Sequence, residues 1–211
     1  MNSRSPHARL GACLTAAALG VSTLLLRISD PAAVAYAYEQ APVPDNIQVP
    51  AGNTLFLIGH ASGTQDYVCL PSGPDFKFVL ITPRATLFGD ENQQLATHYF
   101  SPNPFESDTL RVTWQESRDS STVWGQAIQS SSDPAFVAPG AIGWVLLRAV
   151  GVQGADGSGG LTATTFIQRL NTTGGVAPST GCGSPGDVGN QAFVPYTADY
   201  FFYQDDARAS P

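Results

Sequence analysis

Few side chains in this chain of 211 residues combine a reactive type with a usable setting. His98 stands beside Tyr99 near the end of a strand-like run, and its free pKa near neutrality makes it the natural candidate for a general base. A base needs a partner, and the carboxylates nearest in sequence are Glu106, Asp108, Glu116 and the turn residue Asp119. His98 and Asp119 are therefore the catalytic candidates, against the plainer reading of a hydrogen-bonded structural histidine. Serine chemistry has less support. No Gly-x-Ser-x-Gly elbow occurs, and Gly157-Ser158-Gly159-Gly160 sits in a loop that reads as flexible. A paired-carboxylate glycosidase needs two acids set across a cleft. The acids here are too numerous for any one pair to stand out.

A second group reads as binding chemistry. Gln168, Arg169 and Asn171 end a β-branched run with three hydrogen-bonding side chains, which suits either a ligand or the anchoring of the loop that follows. In the anchoring case Arg169 is expected to pair with Asp199 or to hold carbonyls of segment 171–192. Trp124, beside the polar Ser120-Ser121-Thr122, is the tryptophan best suited to exposure and to stacking on a sugar or another flat ligand; Trp114 and Trp144 suit a core. No metal site is expected, because His60 and His98 stand far from any HxH or CxxC spacing. No cofactor is expected either. A dinucleotide would need a glycine-rich turn between strand and helix, and none is present.

The elements that must position these residues are strands. No window of a dozen residues carries a clean helical period. Short β-type runs cover 54–58, 64–70, 76–82, 85–88, 95–100, 111–115, 122–128, 142–150, 162–170 and 193–203. Gly89-Asp90-Glu91-Asn92 and Ser117-Arg118-Asp119-Ser120 read as hairpin turns. The expected fold is all-β, a single antiparallel β-sandwich or β-barrel of about ten short strands with long loops. Those loops are 101–110, 129–141, 151–160 and 171–192.

Arg4, His7 and Arg9 precede the apolar run Leu10–Leu26, and Ala35-Tyr36-Ala37 offers a cleavage site. Residues 1–37 are therefore expected to be a secretory signal. Residues 38–50 read as an extended leader with Pro42, Pro44 and Pro50, residues 51–205 as the β domain, and 206–211 as a flexible tail. Loss of the signal removes Cys13, so Cys69 and Cys182 form an even pair in an oxidising compartment, which reads as one disulfide. The formal net charge is −7, with Lys77 the single lysine and no basic tract. Nucleic acid is excluded as a partner on that ground, and an anionic membrane surface is disfavoured once the signal is removed. An extracellular polysaccharide or a small ligand fits better.

Several stretches together resemble a family of secreted bacterial and fungal proteins, the domain-of-unknown-function family numbered 3455. They are Gly63–Cys69, Pro83–Phe88, Thr97-His98-Tyr99, Trp114, Asp119–Gly125, Ala141–Leu147, Phe166–Cys182 and Val194–Tyr203. The resemblance spans roughly 50–204 and is most specific in Phe166–Gly175 followed by Gly181-Cys182. It implies the two-cysteine arrangement and a single β-rich domain, and it implies no activity. Departures fall in turns: Asp119-Ser120-Ser121 stands where many members have Asp-Gly-Ser, Gly143 where many have Pro, and Phe100–Phe105 is longer. The expected protein is a secreted, disulfide-closed β domain acting as an extracellular binding or structural module. The alternative is an extracellular hydrolase or lyase using His98 with a nearby carboxylate.

Overall fold

The strands are fewer and longer than the turn signals suggest. The computed structural model describes residues 42–154 and 159–208; the signal segment, residues 38–41 of the leader, Ser158 and residues 209–211 of the tail lie outside them. Eight strands follow one another: β1 (Asn53–Ser72), β2 (Asp75–Phe88), β3 (Gln94–Asn103), β4 (Thr109–Glu116), β5 (Thr122–Ser131), β6 (Trp144–Gln153), β7 (Thr164–Gly174) and β8 (Gln191–Asp205). Each pairs antiparallel with the next, and β8 pairs back onto β1, so the sheet is a closed barrel. The choice between sandwich and barrel is thereby made. Ten expected strands become eight because two pairs fuse. The runs 54–58 and 64–70 are one strand, as are 76–82 and 85–88.

Pro83 does not stop β2 as its lack of an N–H would suggest. β2 is paired to β3 only from Ala85 to Phe88, so Pro83 has β1 on one side and an open edge on the other. An edge is where a strand tolerates proline. A register shift at Asp66/Tyr67 of β1 lies opposite this stretch. Both hairpin turns form where expected, with Asn92 and Ser120 in left-handed backbone conformations.

Closure fills the inside with alternating side chains. Leu87, Trp114, Val123, Leu147, Ile167, Tyr196, Tyr200 and Phe202 pack there with Ala61, Ala85, Ala96 and Ala198. Across the seam Gly59 is paired with Tyr200 and Gly63 with Tyr196, large facing small, and between them Ala61 is paired with Ala198. A Cβ on Gly63 would collide with the Arg84 carbonyl and the Cα of Ala85. This close approach lets β1 bend round the barrel.

A second core lies on the outer face of β6, β7 and β8. There Trp144, Leu146, Leu170, Phe201 and Tyr203 meet Ile47 and Val137, flanked by Val43 and Val49. The leader is thus no free extension. Asp45–Ile47 forms a single 3-10 turn, and Ile47 is fully buried. The tail likewise begins as a 3-10 turn over Asp206–Arg208, with Arg208 donating to the Thr162 carbonyl. Cys69 of β1 and Cys182 of the β7–β8 connection form the disulfide, which closes 113 residues. Around it Cys69 N–H donates to the Asn190 carbonyl at 2.8 Å, and Gly189 N–H donates to the Cys69 carbonyl at 3.0 Å.

Two outcomes test this architecture. The Cys69→Ser/Cys182→Ser variant should lose about 2–5 kcal/mol of unfolding free energy in denaturant titrations while keeping its far-ultraviolet β signature. Gly63→Ala should cost about 1–3 kcal/mol through forced separation of β1 and β2; an unchanged midpoint would show that the two backbones are not in contact there.

Candidate functional site

Three inward rings from different strands meet on one side of the barrel. His98 of β3 and Trp114 of β4 are direct cross-strand partners. Their rings stack with centroids 4.3 Å apart and planes 14° from parallel. Tyr200 of β8 leans on both, with centroids 5.1 Å from His98 and 5.3 Å from Trp114. All three residues are at most 3% exposed.

His98 bonds to the Thr113 carbonyl through Nδ1 at 2.9 Å. A carbonyl only accepts, so the proton sits on Nδ1 and Nε2 keeps its lone pair. Burial lowers the pKa to about 3; the carbonyl bond opposes that drop and the nearby charge of Arg169 adds to it. The imidazole is therefore neutral at any ordinary pH. Its hydrogen-bond partner is backbone, so the carboxylate that a catalytic base would need does not stand beside it.

Arg169 enters the same space from β7, on the inward face with Ile167 two residues before it. Its Nη2 donates to the Gly143 carbonyl at 2.8 Å. Its Nε is buried and meets no acceptor. Among the described residues no carboxylate forms an ion pair with it. The charge is felt instead by Tyr67, Tyr196 and Tyr200, whose hydroxyls are held above the ordinary phenol range by burial while the guanidinium opposes that rise. They remain neutral hydroxyls.

These groups border a cavity of about 190 Å³. Val112, Val145 and Leu147 complete its apolar wall, and the exposed Ala127 stands at its rim. β5 makes the room by turning small residues inward. A Cβ on Gly125 would come within 3.0 Å of the Trp114 ring and 3.2 Å of the Val112 side chain. The indole Nε1 of Trp114 is buried without an acceptor.

Of the residues singled out from sequence, the structure brings only His98 and Arg169 to this cavity. Asp119 stays in the β4–β5 turn, accepting from Ser121 N–H at 2.7 Å and from Gly160 N–H at 2.6 Å. The Ser121 side chain, together with those backbone bonds, holds its carboxyl below the usual range. Trp124 is not an exposed platform: it is 6% exposed. Its Nε1 donates to Ser101 Oγ at 2.9 Å and its ring meets the edge of Phe105. Gln168 points to the outer core, donating to the Ile47 carbonyl at 2.7 Å and accepting from Tyr203 OH at 2.8 Å. It fastens the leader to the barrel. Asn171, in a left-handed conformation, donates to Asp199 Oδ2 at 2.8 Å.

The expected Arg169–Asp199 pair does not form, and the carbonyl that Arg169 does hold belongs to Gly143, outside segment 171–192. Arg169 faces inward, whereas Asp199 faces away from Tyr200 and is taken by His60. His60 carries no metal-ligating spacing in the sequence. It lies opposite Asp199 across the β1–β8 seam, with Nδ1 2.7 Å from Asp199 Oδ1 and Nε2 3.0 Å from Asp90 Oδ1. Both nitrogens face carboxylates, so the ring is held as imidazolium; the bonds to Asp90 and Asp199 raise its pKa and burial opposes them. Trp114 and Tyr200 were also missed as site residues. The alternation of Tyr196, Tyr200 and Phe202 along β8 was the available signal, but a face pattern cannot distinguish core from cavity wall.

A family model described as a protein of unknown function (DUF3455) matches residues 50–204. No curated protein and no solved structure matches the chain.

The His60 bridge has a pH signature. A raised folded pKa means that the bridge stabilises the fold fully below the unfolded value, about 6.5, and ceases to do so as pH rises through the folded value. The His60 ring signals should titrate above 6.5 by NMR, and the melting temperature should decline through that same interval in the wild type but not in His60→Gln. A midpoint at or below that of a free histidine would remove the bridge.

Proposed function

The chain belongs to this family of proteins of unknown function, and from that premise, which carries no chemistry with it, we propose that the barrel is an extracellular binding domain holding a small, ring-sized molecule in its interior. The observation that carries the reading is the aromatic cavity among Trp114, His98 and Tyr200, with its rim at Ala127. An eight-stranded barrel is just wide enough inside to be filled by side chains or to hold one small ligand. Here inward Gly125 and Ala127 leave part of that volume unfilled. An apolar cavity of about 150 Å³ accepts benzene in other proteins, so about 190 Å³ suits a six-membered ring with a small substituent.

Binding is favoured over hydrolysis because the two histidines divide the requirements of a base between them. His98 is beside the cavity but neutral, buried and bonded to a carbonyl. His60 has carboxylate partners but uses both nitrogens to reach them. The extracellular setting rests on the signal-like N-terminus and on the Cys69–Cys182 bond, which suits an oxidising compartment. No helix of the described residues is long and apolar enough to cross a membrane. One apolar core lines the inside of the barrel and the apolar outer face of β6, β7 and β8 is covered by Ile47 and Val137, whereas a membrane barrel turns its apolar band to lipid.

Titration with benzyl alcohol, a neutral ring of suitable size, should shift the Trp114 indole N–H signal and raise the melting temperature. Ala127→Leu, which fills the rim, should abolish both effects. Equal responses in the two proteins would mean that the cavity is not where the probe binds.

A further inference from the structure

Building on the reading of the interior as a ligand cavity, we infer that its ligand is a small organic acid, with an apolar ring against Trp114 and its carboxylate on Arg169. Four observations converge on this. First, Arg169 lies on the inward face of β7, yet among the described residues it has no carboxylate partner. A partly buried guanidinium keeps its charge and is stabilised when an anion meets it. Second, its Nε is buried with its donor unused, while Nη2 is tied to the Gly143 carbonyl at 2.8 Å. The Gly143 carbonyl and the Tyr200 hydroxyl orient the fork, and the unused Nε donor is left for an incoming acceptor. A planar carboxylate matches that fork better than a spherical ion does.

Third, no protein group around the charge carries a negative charge, and the tyrosine hydroxyls and the Trp114 indole can donate. Tyr196 and Tyr200 keep their protons, with hydroxyl oxygens 3.5 Å apart. Trp114 is fully buried, and its Nε1–H has no acceptor. An indole N–H cannot accept, so it is a further donor for an incoming acceptor. Fourth, the rest of the wall is apolar: Val112, Val145 and Leu147. An inorganic anion would leave this part of the cavity without contacts. An apolar alcohol would leave the guanidinium unmatched. A ring bearing a carboxylate answers both halves.

Three probes separate the contributions: benzoate, benzyl alcohol and acetate, each titrated into the full chain by calorimetry at neutral pH. Benzoate is expected to bind at least about tenfold more tightly than either of the others. In the wild type, benzoate should also move the Arg169 Nε–H NMR signal, and benzyl alcohol should not. Arg169→Met should bring the ratio of benzoate to benzyl alcohol affinities to about one, and Arg169→Lys should restore part of the preference. If benzoate and benzyl alcohol bind equally and the Arg169 signal stays still, the acid is wrong and the cavity stands. If acetate matches benzoate, Arg169 is an anion site with no ring beside it, which overturns the inference. If none of the three binds, the cavity reading fails with it. The wild-type comparison decides the matter even if the Arg169 variants do not fold.

Discussion

The seam between the first strand and the last holds the molecule in its form. Fifteen paired positions, from Asn53 with Asp205 to Val68 with Gln191, join β1 to β8. Without them the eight strands would be an open meander with two long edges and an apolar face in water. The seam works because its inward residues are complementary in size. Gly59 and Gly63 lie opposite Tyr200 and Tyr196, where a Cβ would strike the Leu87 side chain and the β2 backbone, and Ala61 and Ala198 share the position between. The β1 backbone can then approach β2 closely enough to turn the corner. The His60–Asp199 contact lies on the outer side of the same seam and joins two residues 139 apart in sequence. The disulfide fastens the far end of β1 to the connection leading into β8.

This closure divides the apolar residues between two cores. The inner one is wrapped by all eight strands. The outer one exists because β6, β7 and β8 carry apolar residues on both faces, and the leader covers the face that closure leaves outside. β7 shows the division residue by residue. Ile167 and Arg169 point in, whereas Gln168 and Leu170 point out, where Gln168 holds the leader through the Ile47 carbonyl. Three neighbouring polar residues that look like one cluster in sequence thus serve three places. Gln168 holds the strap, Arg169 the interior, and Asn171 the Asp199 carboxylate on the barrel's outer side.

The interior is both core and candidate site, and the same substitutions serve both roles. Inward Gly125 makes room for Trp114, and with Ala127 it leaves the cavity beside it. Stacking His98 on Trp114 fills space that an aliphatic side chain could also fill, at the cost of an imidazole too deeply buried to take a proton. Neutral tyrosine hydroxyls and a single guanidinium give the space donors and one fixed positive charge, beside a neutral histidine. Such an environment suits recognition of an anion better than proton transfer, which requires a group that titrates near the working pH.

The all-β class, both hairpin turns, the pairing of Cys69 with Cys182, and the family are legible in the order of residues alone. Each follows from local pattern, from counting or from motif, and none needs to know which strands are neighbours. The same order of residues also marked Arg169 and His98 as requiring explanation. The tertiary structure decided what they face. Strand alternation states that Arg169 shares a side with Ile167 and that Asp199 lies opposite Tyr200. It does not say which side is the inside until the ends of the sheet meet. Closure decided that Asp199 belongs to His60 rather than to Arg169, that Trp124 is covered, and that Pro83 lies within a strand. It also placed Trp114, Tyr200 and Arg169, from β4, β8 and β7, around one space. A cavity is the volume that side chains from distant strands fail to fill, so no single stretch of sequence can record it.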